Sequence, residues 1–219
     1  MTREQRRDQL VEVARGLFAE KGFEGTSVEE IAARAEVSKP VVYEHFGGKE
    51  GLYAVVVDRE VVRLDLAIHN ALTRQQSSAR RLIELGTLAL LDYIDESPEG
   101  FRIISRDTSG GEAGSGSFAT ILSGVATRVE HLLADHFERS HFPSAMAPMY
   151  AQMLVGLVGL TGQWWLDSRD RYDLSRQEVA AHLVNLAWNG MRHLEVEPHL
   201  RSTVPAEPVE GVGRAPEPS

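Results

Sequence analysis

Apolar residues recur every three to four positions along most of this chain, and no segment stands out with the two-residue alternation of a strand. Leu10, Val13, Ala14, Leu17 and Phe18 mark one face of a first helix from about Arg3 to Glu20, which Lys21-Gly22 ends. Val28, Ile31 and Ala32 mark a short second helix; Thr26 or Ser27 can cap it, and Glu29 and Glu30 place negative charge at the positive end of its dipole. Ala35, Glu36 and Val37 form a turn, and Ser38 caps a third helix with Pro40 in its first turn. Val42 and Phe46, four apart, face inward, and Gly47-Gly48 closes the helix.

A long helix follows from about Lys49 toward Leu72, with Leu52, Val55, Val56, Val62, Leu66 and Ala67 as its apolar positions. Ser78 to Glu96 is a fifth helix, broken by Ser97-Pro98, and Glu99 to Asp107 a short sixth. The run SGGEAGSGS over residues 109–117 reads as a flexible connection; no Lys-Ser/Thr pair follows its glycines, which disfavours a phosphate-cradling loop. Phe118 to about Ser140, Ala145 to Ser168 and Ser175 to Leu194 complete an all-α set, the last two separated by Arg169-Asp170-Arg171. Gly156, Gly159 and Gly162, three apart, suggest close backbone packing or a nearby cavity. From Glu197 onward the chain holds five of its nine prolines and few apolar residues, the composition of a disordered tail.

Composition narrows the classes. At 219 residues and 42% hydrophobic content the chain can bury an ample core. It has no cysteine, which removes disulfides and thiolate metal sites. No apolar run looks long enough to span a bilayer and the N-terminus lacks a signal-peptide core, so a cytoplasmic protein without a membrane partner is expected. The net charge of −9 is unusual for a nucleic-acid binder, and residues 1–50 carry eight Lys/Arg against ten Asp/Glu. Placement matters more than the total: Arg3, Arg6 and Arg7 cluster at the N-terminus, and Lys39 and Lys49 flank the third helix. A small reader can position itself with a few phosphate contacts, neutral donors and helix N-termini included.

The segment Gly25–Lys49 thus reads as a helix-turn-helix, whose second helix presents its N-terminal residues to the major groove. The order Leu17-Phe18, Lys21-Gly22, Gly25-Thr26, Ile31-Ala32, Val37-Ser38, Tyr43-Glu44-His45-Phe46, Lys49 and Leu52-Tyr53 closely resembles the TetR family of bacterial regulators over about the first quarter of the chain. The resemblance implies an all-helical homodimer with a helix-turn-helix domain at 1–48, a larger ligand-binding and dimerisation domain at 49–196 and a tail at 197–219. It also places the last two long helices in a four-helix dimer interface. Its motif assigns DNA contact to Tyr43 and His45; Lys39 and Lys49 suit phosphate or base contact, and Thr26, Ser38, Pro40 and Val41 complete the candidate set.

A narrower resemblance rests on Gly100-Phe101-Arg102-Ile103-Ile104, the run Leu154–Leu160, Trp165-Leu166-Asp167 and Ala187-Trp188-Asn189-Gly190. These look similar to actinobacterial TetR-type regulators of fatty-acid synthesis, which respond to long acyl thioesters. An apolar effector would suit a lining of Leu88, Leu91, Phe101, Ile104, Ile121, Met153, Leu157 and Trp164, although core filling is the simpler role for any one of them. His131 and Asp135, near Glu130 and His136, have the spacing of an incipient metal site, but such pairs usually mark a solvated helix face. Ser105 and Asp107 have no nucleophile elbow and no dinucleotide fingerprint is present, so no enzyme, metal or cofactor is expected. The resulting expectation is a homodimeric repressor, released from a near-palindromic double-stranded operator by a small apolar, acyl-chain-like effector. The competing reading is a helical small-molecule-binding protein without operator activity.

Overall fold

The computed structural model describes residues 1–73, 78–106, 118–196 and 198. Among the described residues the fold is all helical: α1 (Arg3–Lys21), α2 (Val28–Arg34), α3 (Lys39–Phe46), α4 (Lys49–Leu72), α5 (Ala79–Glu96), α6 (Pro98–Arg106), α7 (Phe118–Arg139), α8 (Ala147–Ser168) and α9 (Arg176–Met191), with a 3-10 turn at Ser144–Met146. The expected glycine-rich connection at 109–117 and the expected tail lie outside the described residues, but for Pro198. Local chemistry sets the helix starts. Thr2 and Gln5 form a capping box on α1, Ser175 and Glu178 another on α9, and Ser78 caps α5 by accepting from the Arg81 N–H.

Two cores share α4. The first gathers Leu10, Leu17, Ile31, Val42, Leu52 and Val56 from α1 to α4, and Ile103 of α6 enters it as well. The second runs from Leu64 and Ile68 of α4 through Leu91, Ile94, Phe101 and Ile104 to Val155, Trp165 and Leu183. Sequence patterning put Val62 and Leu66 on the inner face of α4, yet they are 48% and 53% exposed. The buried stripe is instead Leu52, Val56, Glu60, Leu64 and Ile68, a strict four-residue spacing with a carboxylate at its centre. A reading by polarity alone skips the carboxylate and so turns the distal half of the helix to the wrong side.

Glu60 is 2% exposed and joins four helices. Its Oε1 accepts from Arg15 Nε of α1 at 3.0 Å, and its Oε2 accepts from the Tyr93 hydroxyl of α5 at 2.7 Å and the Ser97 hydroxyl at 3.2 Å. Arg15 also reaches Ser97 Oγ at 2.6 Å and Glu99 of α6 at 3.2 Å. Burial, with the neighbouring Glu60 carboxylate, pushes the Tyr93 phenol above its ordinary value, so it stays a donor. The carboxylate lodges against Gly100 in the first turn of α6, where the helix dipole favours negative charge. Arg106 adds a second tie, donating to the Ala19 carbonyl of α1 at 3.2 Å.

The segment Ser144–Ser168, with a mean hydropathy of 1.3, is by length and composition long and apolar enough to cross a membrane, contrary to the expectation from run lengths. Its apolar residues divide between a buried and an exposed face. Ala151, Val155, Gly159, Gly162, Trp165 and Leu166 turn inward. Met149, Met153, Leu160 and Trp164 are 45%, 56%, 64% and 45% exposed.

A Cβ on Gly100 would lie 2.0 Å from Glu60 Oε2 and 2.6 Å from Ser97 Oγ. Gly100→Ala should therefore cost about 1–3 kcal/mol and lower the melting temperature by several degrees. Gly16→Ala, on a helix with nothing within 4 Å of the added carbon, should instead gain up to about 1 kcal/mol. Thermal unfolding followed by circular dichroism checks both signs.

Candidate nucleic-acid interface and effector cavity

The reader is built from α2, a tight turn and α3. Ser27 caps α2 by accepting from the Glu30 N–H at 3.2 Å. Ala35 and Val37 donate back to the carbonyls of Ile31 and Ala32, both at 2.9 Å, and Glu36 turns the chain in the left-handed region at φ 55°. Val42 is fully buried and seats α3 on Ile31, Ala35 and Leu52 of the first core. Gly47, at φ 74°, ends α3 with its N–H on the Tyr43 carbonyl at 2.8 Å. Gly51 lets α4 begin at once: a Cβ there would lie 1.9 Å from the Phe46 carbonyl oxygen.

This seating turns one edge of α3 outward. Ser38, Lys39, Pro40 and Tyr43 are exposed, and Val41 and His45 half-buried. Ser38 makes no side-chain capping bond, although it occupies the N-cap. Six of the eight candidate DNA residues are thus brought together on one short helix. The other two are tied inward at the α1–α2 corner. Thr26 is 2% exposed, and its hydroxyl donates to the Gly22 carbonyl at 2.8 Å and the Leu17 carbonyl at 3.3 Å. Capping of α2 thus falls to Ser27 and not Thr26. Lys49 donates to the Phe23 carbonyl at 3.0 Å and lies 4.1 Å from the Phe23 ring centroid. It anchors α4 to the corner and retains further N–H donors.

Sequence reasoning missed three neighbours of this edge. Lys39 is paired with Glu29 of α2, an exposed contact. The hydrogen bond from Lys39 lowers the Glu29 carboxyl, and the same bond raises the Lys39 ammonium. Arg7 lies within α1, its guanidinium 4.8 Å from the Phe46 ring centroid. Phe46 is consequently half-buried rather than fully inward. Gln9 donates to the Ala35 carbonyl at 3.2 Å and braces the turn.

In the second core, α4, α5, α7 and α8, with Met191 of α9, line a partly open cavity of about 100 Å³. Its wall is carbon-rich: Leu64 and Ile68 from α4, Leu82, Ile83 and Leu90 from α5, Ile121, Val125 and Val129 from α7, and Leu154, Val155 and Val158 from α8. No charged side chain lies on the described wall. Of the eight candidate effector contacts, Ile121 alone lines it. Leu91, Phe101 and Ile104 are fully buried core residues off its wall. Leu157 is half-buried against the same core, Met153 and Trp164 face outward, and Leu88 lines a separate open depression of about 600 Å³ beside α4. The reason is rotational. One residue along a helix turns the side chain by about 100°, so Leu90 and Thr87 face the cavity where Leu88 and Leu91 do not, and Leu154 and Val158 face it where Met153 and Leu157 do not.

His131 and Asp135 lie on the exposed side of α7, and among the described residues no three His, Asp or Glu side chains converge on a metal-sized space. Ser105 turns its hydroxyl to the Arg102 carbonyl at 3.4 Å, and Asp107 lies outside the described residues.

Comparison with known proteins agrees with this arrangement at both ends. Residues 10–56 match the family described as bacterial regulatory proteins, tetR family, and residues 86–190 match a Tetracyclin repressor-like C-terminal domain. The chain belongs to the TetR family. It is a DNA-binding transcriptional regulator with a helix-turn-helix. It is 29% identical over 198 residues to the HTH-type transcriptional activator FasR of Mycolicibacterium smegmatis, covering 89% of this chain and 86% of that protein. A TetR-like transcriptional regulator from Rhodococcus sp. RHA1 shares the fold with a TM-score of 0.69 at 24% identity, over 88% of this chain and 98% of the other. The fatty acid degradation regulator FadR from Bacillus halodurans shares it with a TM-score of 0.70 at 18% identity, over 86% and 97%.

Glu29 holds the exposed Lys39 ammonium and adds a negative charge beside the candidate DNA-contact residues of α3. Glu29→Gln should tighten DNA binding about 2- to 10-fold at low salt and steepen the salt dependence by up to about one unit of log–log slope. A salt series of anisotropy titrations reads both; unchanged affinity and slope would show that Lys39 does not reach phosphate.

Proposed function

We propose that the chain is a homodimeric, ligand-released repressor that reads a near-palindromic operator with the α3 edge and binds a small apolar, acyl-chain-like effector in the cavity. One observation carries this reading. Helix α5 contributes Thr87 and Leu90 to the cavity wall and, less than a turn after Leu90, Tyr93 to the Glu60 network that grips Arg15 of α1. Residues 1–48 form the reading unit, completed by the first turns of α4, and residues 49–196 the effector and dimerisation unit.

In this scheme Ser38 and Val41 meet base edges, the latter through a thymine methyl, while Lys39, Tyr43, His45 and Lys49 meet the backbone. Two half-sites about 34–36 Å apart require two copies of α3 at fixed separation. The outward face of α8 (Met149, Met153, Leu160, Trp164) and Leu186 of α9, 63% exposed, provide an apolar surface for a second copy. An operator as partner places the protein in the cytoplasm.

An occupied cavity changes the packing of α5 against α4 and α8, and the Glu60 network passes that change to α1. Driving occupancy from one conformation almost wholly to the other requires a preference of about 5.5 kcal/mol. Support for an acyl-like effector comes from the carbon-rich wall and from the fatty-acid role in the name of the Bacillus halodurans neighbour. A second reading, activation, is favoured by the name of FasR; the same release would then end activation, and operator position would set the sign.

Anisotropy titration of the full chain against its own upstream DNA, with scrambled DNA as control, tests the reading. Selective binding, weakened by salt, is expected; equal weak binding to both DNAs contradicts it. Leu160→Asp combined with Leu186→Asp should convert a particle of twice the chain mass to a monomer in light scattering and weaken operator binding by about 100-fold or more. A persistent dimer would rule out this face.

A further inference from the structure

The cavity holds one polar group that nothing satisfies. Thr87 of α5 is 1% exposed, lines the cavity, and its hydroxyl makes no hydrogen bond. An unpaired buried hydroxyl is normally costly, so each such group in a folded protein calls for a partner. The other side chains on the described wall offer none, since apart from the Met191 thioether all are aliphatic or glycine. No cation lies on the described wall either, so an ionised carboxylate drawn inside would lose its water and meet no counter-charge. The volume of about 100 Å³ is small against the ~300 Å³ at which ordinary ligand pockets begin, which selects a slender shape.

Resting on the reading of this cavity as the effector site, we propose that Thr87 is its specificity-determining anchor. The part of the effector that enters is a slender, electrically neutral aliphatic chain bearing one hydrogen-bonding oxygen, which pairs with the Thr87 hydroxyl. Long-chain alcohols and neutral acyl esters share this chemistry. The alcohol can donate and accept, whereas the ester only accepts. A free fatty-acid anion is refused entry by its charged end.

The test uses the full-length protein and three probes of equal chain length, 1-octanol, methyl octanoate and octanoate, titrated calorimetrically at neutral pH. The wild type should bind the alcohol or the ester at least about ten-fold more tightly than octanoate. Thr87→Val, which keeps the side-chain shape, should weaken the favoured neutral probe about 2- to 10-fold, and Thr87→Ser should restore it. Because Val removes an unsatisfied buried hydroxyl, the unliganded variant should melt no lower than the wild type, which separates lost recognition from misfolding. Which neutral probe binds better identifies the source: an ester at least equal to the alcohol points to acyl compounds, a clear alcohol preference to fatty alcohols. Undiminished binding of both neutral probes by Thr87→Val overturns the anchor, as does octanoate binding equal to theirs. If no probe binds the wild type or raises its melting temperature, the cavity is not the effector site and the underlying reading falls with the anchor.

Discussion

A buried carboxylate has to be met by donors, and Glu60 is the point at which this protein meets that demand. Removed from water, it would be strongly destabilising without Arg15, Tyr93 and Ser97 around it. Those partners come from α1, α5 and the start of α6, so satisfying one charge fixes four helices against one another. Gly100 is part of the same constraint, since only the absence of a side chain leaves room for the carboxylate against α6. Beside this junction the first core meets the second along α4, at the inserted Ile103 and through the Arg106 tie to Ala19.

That junction explains how a cavity and a DNA-reading edge can belong to one equilibrium. Breaking the pairing around Glu60 is expensive, so the helices it joins move together rather than separately. Under the proposed function, a ligand that alters how α5 sits against α8 would act on α1 through these bonds and, through the common core, on α3. Nothing in this requires the reader itself to deform. Val42, the Ala35 turn and the Lys49 tie to Phe23 hold it as a unit. In the proposed release it is its placement that would change, and in a dimer placement would set the spacing between two recognition helices.

The helices were legible in the sequence because their signals are local. Ser27, Ser38, Ser78 and Ser175 precede helices, glycines end α1 and α3, and the helix-turn-helix turn falls at Ala35–Val37 as its residues suggest. The candidates from Ser38 to His45 stay together because they follow one another along α3 and its N-cap, with Ser38, Lys39, Pro40 and Tyr43 exposed. Elsewhere the information is not local. Thr26 and Lys49 look available until the corner folds back and supplies the carbonyls of Gly22 and Phe23. Glu60 looks like a solvated charge until Arg15, 45 positions earlier, is placed beside it. On α5 and α8 the cavity wall lies one position away from Leu88, Leu91, Met153 and Leu157, because hydrophobicity names a helix face only to within the neighbouring position; Phe101 and Ile104 belong to α6, which gives the described wall no residue, and Thr87 is invisible to any search for apolar residues.

The central claim is that filling the cavity moves the recognition helices. The chain has no cysteine, so Glu44→Cys on the exposed side of α3 gives one labelling site per subunit. Spin-label distances between the two subunits should show one distribution on operator DNA and a displaced one when a neutral aliphatic ligand saturates the cavity. Calorimetric saturation with an unchanged inter-label distance would contradict the account, because binding would then leave the DNA reader where it was.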